Sequence, residues 1–471
     1  MLVLDSSQAA QSSANSTFAS SETPTTERPN VIFILSDDQG TMDLGACGLK
    51  DVVTPTLDQL AADGIRFTQF YAASSICSPS RAALLTGRYP WRCGVPGNVS
   101  PGGPGLPVAE TTMAEVFKSA GYATAIIGKW HLGTTPPEGP LKQGFDQFFG
   151  HKQGCIDNWS HFFYWNGPNR HDLWRNDEVY YEDGHHFGDM IVREAKNFLR
   201  GSVGSGFDDG AGSGASETKQ PFFLYLPFNT PHYPLQAKEK WRQHYATKAY
   251  AELEQRRRDY LALLATMDEQ VGQILAEVDR LGLRDNTIVV FQSDHGHSTE
   301  QRAFYGGGSA GPYRGSKFSL FEGGIRVPAV IRWPGHLDAG QTRDQVAHAT
   351  DWFPTLCALA NIPLSPGLKL DGRSLQPILH DPKSPTRHEI LHWVVSDQWA
   401  VRRGNHKLIV NPRDTDRTNL GAVDEKNKFF LVDLLNDVGE QKNLRPLEPE
   451  LMKALRALHA DALAEFTAEK K

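Results

Sequence analysis

Val31-Ile32-Phe33-Ile34-Leu35-Ser36-Asp37-Asp38-Gln39-Gly40 decides how the chain folds. Five consecutive apolar residues, three of them β-branched, run without alternation into a polar turn. That pattern reads as a strand buried on both faces, which is what a parallel sheet covered by helices requires. Tyr122 to Ile127, Phe222 to Leu226, Ile288 to Phe291 and Val327 to Trp333 repeat it, while Ile65 to Phe70 alternates like a strand. Helical patterns lie between these runs. Thr54-Pro55 opens one that Gly64 stops, Thr112 to Glu115 is a capping box, and Leu261, Leu264, Val271 and Leu275 mark a helix from about Tyr250 to Leu281. The expected fold is α/β, a large mixed and mostly parallel sheet sandwiched by helices.

The character changes near residue 385. Short alternating runs at Ile390 to Val395, Ala400 to Arg403, Lys407 to Val410 and Phe429 to Leu434 precede a helix from about 448. They predict a small C-terminal antiparallel α+β subdomain. The expected division is a Ser/Thr/Ala-rich disordered leader over 1–29, a main domain over 30–380 with a mobile Gly/Ser insertion near 201–219, and the subdomain over 381–471.

Composition removes several function classes. The 471 residues carry a net charge of −7 and no basic run, so no nucleic-acid footprint exists. No apolar stretch is long enough to cross a membrane. The cysteines at 47, 77, 93, 155 and 357 are scattered and lack paired spacing, which argues against a cysteine zinc cage or a disulfide framework. Met1-Leu2-Val3-Leu4 meets Asp5 at once, so neither a basic n-region nor a full apolar stretch of a signal peptide is visible.

Three strands end in chemistry. Asp37-Asp38 follows the first, Lys129 and His131 in Gly128-Lys129-Trp130-His131-Leu132-Gly133 follow the second, and Ser293-Asp294-His295-Gly296 follows another. The C-terminal ends of parallel strands share one sheet edge, where open α/β sheets bind ligands. Carboxylates gathered there need a cation, and oxygen donors favour Ca²⁺ or Mg²⁺ over zinc. Arg81, Lys129, His131, His232 and Lys317 form a cationic set suited to a tetrahedral polyanion. The equipment is that of sulfuryl or phosphoryl transfer. Cys77-Ser78-Pro79-Ser80-Arg81 reads as a loop entering an Ala/Leu helix that Thr86-Gly87 closes, which puts Cys77 and Arg81 near an anion-receptive helix start. The nucleophile is open among Cys77, Ser78 and Ser80. Cys77 and Arg81 are too close in sequence for a cysteine-phosphatase loop.

Cys77-Ser78-Pro79-Ser80-Arg81-Ala82-Ala83-Leu84-Leu85-Thr86-Gly87 resembles the signature of the type I sulfatases, a branch of the alkaline-phosphatase superfamily. Gly121-Tyr122 through Gly133, Asp37-Asp38, Ser293 to Gly296 and Lys317 resemble further blocks of that family in the expected order. The resemblance spans roughly 30–440 and implies an alkaline-phosphatase-like fold. It implies a sulfuric ester hydrolase acting on a sulfated carbohydrate or aryl sulfate through a formylglycine–sulfate intermediate. Cys77 would be oxidised to Cα-formylglycine by a formylglycine-generating enzyme or an anaerobic sulfatase-maturing enzyme. Asp37, Asp38, Asp294, His295 and residue 77 would hold calcium, or magnesium; the family often has Asn where His295 stands. Arg81 would stabilise the hydrated aldehyde, and Lys129 would bind it and the sulfate. His232 and Lys317 would contact sulfate and assist the leaving oxygen. His131 would take the proton whose loss expels sulfate. A periplasmic or secreted enzyme is implied, with the cytoplasm left as the alternative.

A phosphonate or phosphate ester hydrolase sharing the signature and a non-catalytic glycan binder are the competing readings. His297, Arg314, Asp157 and Trp165 are the expected substrate contacts. Residues 145–187, with Asp157, His161, Tyr164, Trp165, His171 and Trp174, read equally as a sugar- or aryl-stacking wall or as a surface subdomain packing its own aromatics.

Overall fold

The computed structural model of the protein describes residues 28–164, 168–203, 220–415 and 428–468. The leader as far as residue 27, residues 204–219 of the Gly/Ser insertion and Trp165 lie outside the described residues. Strand Asn30–Ser36 sits inside a ten-stranded sheet. It pairs in parallel with Phe222–Pro227 on one side and Thr287–Ser293 on the other. Beyond Phe222–Pro227 come Ala123–Lys129 and Gln147–His151, also parallel. Beyond Thr287–Ser293 the direction reverses in Ala329–Arg332, and Ile65–Phe67 and Gln341–Arg343 complete that side.

The opening apolar run has no alternation because both faces of the sheet are covered. Val31, Phe33 and Leu35 pack with helices Cys77–Thr86, Met113–Ser119 and Trp352–Leu359. Ile32 and Ile34 pack with helices Pro55–Ala62, Phe187–Ser202 and Gln255–Arg280. The capping box at Thr112 forms as its sequence requires, with Thr112 and Glu115 each bonding the other's backbone N–H. The five cysteines are all free thiols, and no described helix is long and apolar enough to cross a membrane.

Three elements depart from the sequence reading. Cys77 to Arg81, expected as a loop, is already the first half of helix Cys77–Thr86, with Pro79 in its first turn where no N–H is needed. The strand expected over Ile65 to Phe70 breaks after Phe67, and Phe70–Tyr71 pairs instead with Ala347–His348. Phe70 leaves the sheet to stack on Trp352 at 5.3 Å. The helix expected from Tyr250 begins at Gln255, because Lys248–Tyr250 forms a separate 3₁₀ turn.

Strands Ile390–Val395, Gln398–Arg403, His406–Val410 and Phe429–Asp433 make an antiparallel meander. Helix Pro449–Ala468 covers one face through Leu455, which packs with Val401, Leu408 and Leu431. The other face meets Tyr71, Phe321 and Ile325 of the large domain. Within this contact Lys407 lies 2.7 Å from both Glu322 and Glu440, and all three side chains are sealed from water. One ammonium neutralises one carboxylate. Burial opposes charge on Glu322, yet Lys407, Arg326 and Arg402 hold it down at about 2. Burial lifts Glu440 to about 7, with Lys407 opposing and Glu322 reinforcing the rise.

An acid whose pKa is raised on folding keeps its proton after the unfolded chain has released its own. Stability therefore falls from about pH 4.5, the ordinary glutamate value, to about pH 7 and is flat above it. Glu440→Gln removes that loss. Its melting temperature should match wild type below pH 4.5 and exceed it above pH 7, by on the order of 3 kcal/mol in stability. A difference that does not change with pH would refute the shared-proton account.

Candidate active site

The parallel strands end on one rim, and their backbones meet there without room for side chains. A Cβ on Gly128 would stand 2.0 Å from the Pro227 carbonyl oxygen, and one on Gly150 would stand 1.8 Å from that of Gly128. Both glycines have positive φ, 139° and 149°. This close rim aims the residues that follow it. Asp37 donates its N–H to the Thr230 carbonyl at 3.0 Å, and Asp294 donates its own to Ser36 at 3.0 Å. Asp38 takes a left-handed φ of 61°, which turns its carboxylate into the same space.

Each carboxylate meets a cation. Lys129 Nζ lies 2.6 Å from Asp37 Oδ2. Lys317 Nζ donates to both oxygens of Asp38 at 2.8 and 3.0 Å. Arg81 donates Nε and Nη2 to Asp294 Oδ2 at 3.1 and 2.8 Å and approaches Asp37 at 3.5 Å. Burial opposes charge on Asp37, but Lys129, His232 and Arg81 hold it well below the usual carboxylate range. Burial pushes Asp38 up to about 7 against the pull of Lys317 and His295.

Cys77 opens the helix that follows. Its Sγ lies 3.3 Å from His295 Nε2 and 3.8 Å from Asp37 Oδ1. Burial would raise the thiol, yet Lys129 and Lys317 outweigh it and bring it to about 5. The first turn is held from outside: Asn98 Oδ1 accepts the Ser78 N–H at 3.0 Å, and Ser80 Oγ donates to the Asp294 carbonyl at 2.5 Å. The Ser78 hydroxyl accepts the Val99 N–H at 3.0 Å and the Ser80 hydroxyl is held on Asp294, so both are engaged with backbone while Cys77 faces the carboxylates.

The histidines divide into two kinds. His295 donates Nδ1–H to the Gly296 carbonyl at 2.9 Å, which turns Nε2 toward Cys77 and the carboxylates. Burial lowers its affinity for a proton, but Asp294, Cys77 and Asp38 raise it to about 9. A divalent cation would exchange for that proton. His232 donates Nδ1–H to Tyr233 O at 2.7 Å and stacks on the Tyr233 ring at 4.1 Å. Burial keeps it neutral, as it does His131, whose ring lies against Gly154 and whose Nδ1 has no hydrogen-bond partner. The donor atoms of Asp37, Cys77, Asp294 and His295 lie within 4.8 Å of one another, and so do those of Asp37, Asp38, Cys77 and His232. This oxygen-rich, buried set suits a hard divalent cation.

A cleft of about 120 Å³ reaches this centre, lined by Cys77, His131, His232 and Lys317 together with Asn98, Gln153, Phe163 and Arg302. The last four carry no motif in the sequence; Asn98 and Gln153 sit on loops, Phe163 on the short strand Phe162–Phe163 and Arg302 on the 3₁₀ turn Gln301–Ala303, which only the fold brings to the cleft. His151, at the end of the strand beside Lys129, was likewise invisible.

The sequence profile of the Sulfatase family matches residues 29–362, and that of the N-sulphoglucosamine sulphohydrolase C-terminal region matches 315–463. The chain belongs to the sulfatase family. Human arylsulfatase A is 35% identical over 459 residues, covering 91% of this chain and 87% of that protein. Human N-acetylgalactosamine-6-sulfatase is 34% identical, covering 80% and 71%. The crystal structure of Ps i-CgsB in complex with k-i-k-neocarrahexaose superposes with a TM-score of 0.78 at 28% identity, covering 92% of each chain. The chain is therefore a sulfatase by sequence and by fold, a hydrolase of sulfate esters.

Three of the substrate contacts expected of this sulfatase stand elsewhere. Arg314 donates Nε to Asp414 at 2.7 Å and Nη1 to the Glu440 carbonyl at 2.9 Å, and its guanidinium covers Phe321. It joins the C-terminal sheet to the large domain. Asp157 accepts from the N–H groups of Trp159 and Ser160 and from Gln236, so its oxygens close a local turn. His297 lines a separate cavity of about 600 Å³. The aromatic segment of this sulfatase mostly packs on itself, as in the His171–Tyr181 and Trp159–His186 contacts, and sends Phe163 to the cleft.

Proposed function

We propose that this sulfatase releases inorganic sulfate from a sulfated carbohydrate, with residue 77 acting as Cα-formylglycine. The observation that carries this reading is the position of Cys77. Its sulfur lines the cleft together with His131, His232 and Lys317, and lies 3.8 Å from Asp37 Oδ1 and 3.3 Å from His295 Nε2 behind it, where Lys129 and Lys317 pair with Asp37 and Asp38. The sulfur marks the place of the oxygens that the hydrated aldehyde would present. One hydroxyl would attack sulfur in line and form a sulfate ester at residue 77. An ordinary alcohol could not release that sulfate without a second water attack, whereas a geminal hydroxyl expels it by collapsing to the aldehyde.

Asp37, Asp38, Asp294 and His295 would hold calcium, with magnesium as the alternative ion. When bound, the cation supplies positive charge beside residue 77 and the sulfate oxygens. The chain's own groups supply the rest. Lys129 and Arg81 orient residue 77 and bind sulfate oxygens. His131 is neutral and faces the cleft, so it can accept the proton of the second hydroxyl. His232 and Lys317 both line the cleft, where they would contact the sulfate, and one of them would assist the leaving oxygen. Cys77 is buried, so its oxidation by a formylglycine-generating or anaerobic maturing enzyme would precede closure of the fold. A carbohydrate substrate is supported by the likeness to human N-acetylgalactosamine-6-sulfatase and to Ps i-CgsB, whose structure holds k-i-k-neocarrahexaose.

Turnover of nitrophenyl sulfate should exceed that of the phosphate and phosphonate analogues by at least roughly 100-fold. A phosphonate preference would replace the sulfatase chemistry with phosphonate hydrolysis. Sulfate release across defined sulfated glycans then identifies the sugar.

A further inference from the structure

We propose that His161, His171 and Asp183 form a second metal site, one for zinc or a similar transition ion, beside the catalytic cleft. The hairpin Phe162–Phe163 with Arg170–His171 places His161 and His171 at its open end, and Phe162 pairs directly with His171. His161 adopts a left-handed φ of 59°, an uncommon state for a histidine, and is fully buried. Its Nε2–H donates to the His185 carbonyl at 3.0 Å. That bond fixes the tautomer and leaves Nδ1 as a bare lone pair, the arrangement common to metal-binding histidines. Nδ1 is shielded from water and has no hydrogen-bond partner. It points at Asp183 Oδ1 from 3.8 Å.

His171 approaches the same oxygen. Its Nε2 lies 3.7 Å from Asp183 Oδ1, and neither of its ring nitrogens has a hydrogen-bond partner. Stacking on Tyr181 at 4.1 Å and an edge contact with Phe162 hold the ring in place. The three donor atoms all lie within 4.8 Å of one another. Separations of 3.7 and 3.8 Å are too long for hydrogen bonds, yet close to the ~3.4 Å edge of a tetrahedron with bonds of about 2.0–2.1 Å. Buried nitrogens without partners each cost about 1–3 kcal/mol. An ion that drew the two imidazoles and the carboxylate onto itself would satisfy them together.

Two imidazoles and one carboxylate suit zinc, copper or nickel and disfavour calcium. The donor set thus differs in kind from the carboxylate-rich catalytic centre. Asp183 is largely exposed, so an ion can enter from solvent and a water can complete the fourth position. The site would tie the hairpin to the 181–186 segment. Because Phe163 of that hairpin lines the cleft, the ion would brace one wall of the substrate site.

The test uses untagged full-length protein with excess calcium, so that zinc is not counted at the catalytic centre. Wild type should retain one zinc per chain after dialysis. Cobalt in its place should give the strong visible absorption of a tetrahedral site. Asp183→Asn should weaken zinc at least about tenfold, and His171→Phe, which keeps the stack on Tyr181, should abolish it. The zinc-free melting temperature of Asp183→Asn should equal that of wild type, so this variant decides the matter if His171→Phe misfolds. Absence of stoichiometric zinc in wild type, or unchanged affinity in Asp183→Asn, overturns the site.

Discussion

Cys77→Ala should lower nitrophenyl sulfate turnover by at least roughly 10⁴-fold, the scale seen when a covalent nucleophile is removed. Its fold should survive. The side chain is small, and the helix it opens is held by Asn98 on Ser78 and by Ser80 on the Asp294 carbonyl. A melting temperature within a few degrees of wild type, together with lost turnover, would assign the deficit to chemistry. Full turnover in Cys77→Ala would refute the proposed nucleophile. Peptide mass analysis of wild-type protein adds an independent reading. The fraction of residue 77 found as aldehyde should scale with specific activity across preparations.

Removal of the divalent ion should be nearly as damaging. Without it, Asp37, Asp38 and Asp294 are matched one to one by Lys129, Lys317 and Arg81, so the cations that would bind sulfate are occupied by the protein's own carboxylates. A divalent ion that takes over the carboxylates frees those cations for substrate. Ion and sulfate should consequently bind with positive cooperativity, each strengthening the other. Dialysis against a chelator should abolish turnover, and calcium should restore it. Calcium at a hundredfold its Kd should add about 2.7 kcal/mol of stability, seen as a rise in melting temperature. Product sulfate should inhibit less well as free calcium falls. A chelated protein with undiminished turnover would remove the ion from the mechanism.

The parts of this protein that its sequence revealed share a physical cause. In a parallel sheet the residues after each strand are delivered to one rim, so Asp37, Lys129 and Asp294 could be brought together from strand ends alone. Burial on both faces made those strands visible as unbroken apolar runs. Residues whose partner lies far along the chain were not legible. Arg314 reads as a pocket cation in sequence, but its partners, Asp414 and the Glu440 carbonyl, lie 100 and 126 residues further along the chain. Asp157 stands among aromatic residues, but its Oδ1 closes a turn two and three residues ahead and its Oδ2 accepts from Gln236, 79 residues along the chain. Asn98, Gln153 and Arg302 reach the cleft on segments without periodicity or motif. The density of histidines and aromatics over 145–187 was plain. The pairing of His161 and His171 around Asp183 depended on a hairpin register that no local pattern encodes.

The backbone contacts at Gly128 and Gly150 also bear on how this enzyme could change its substrate. A methyl group at either glycine would fall about 2 Å or less from a neighbouring carbonyl oxygen, and both residues have a φ that other residues rarely adopt. The rim is thus closed to variation at these points, and mutants there should be recovered only as misfolded protein. Diversity has to enter through the segments carrying Asn98, Phe163 and Arg302, which face the same cleft and lie outside the ten-stranded sheet. A library confined to those segments would alter which ester is accepted while the reacting centre stays in place.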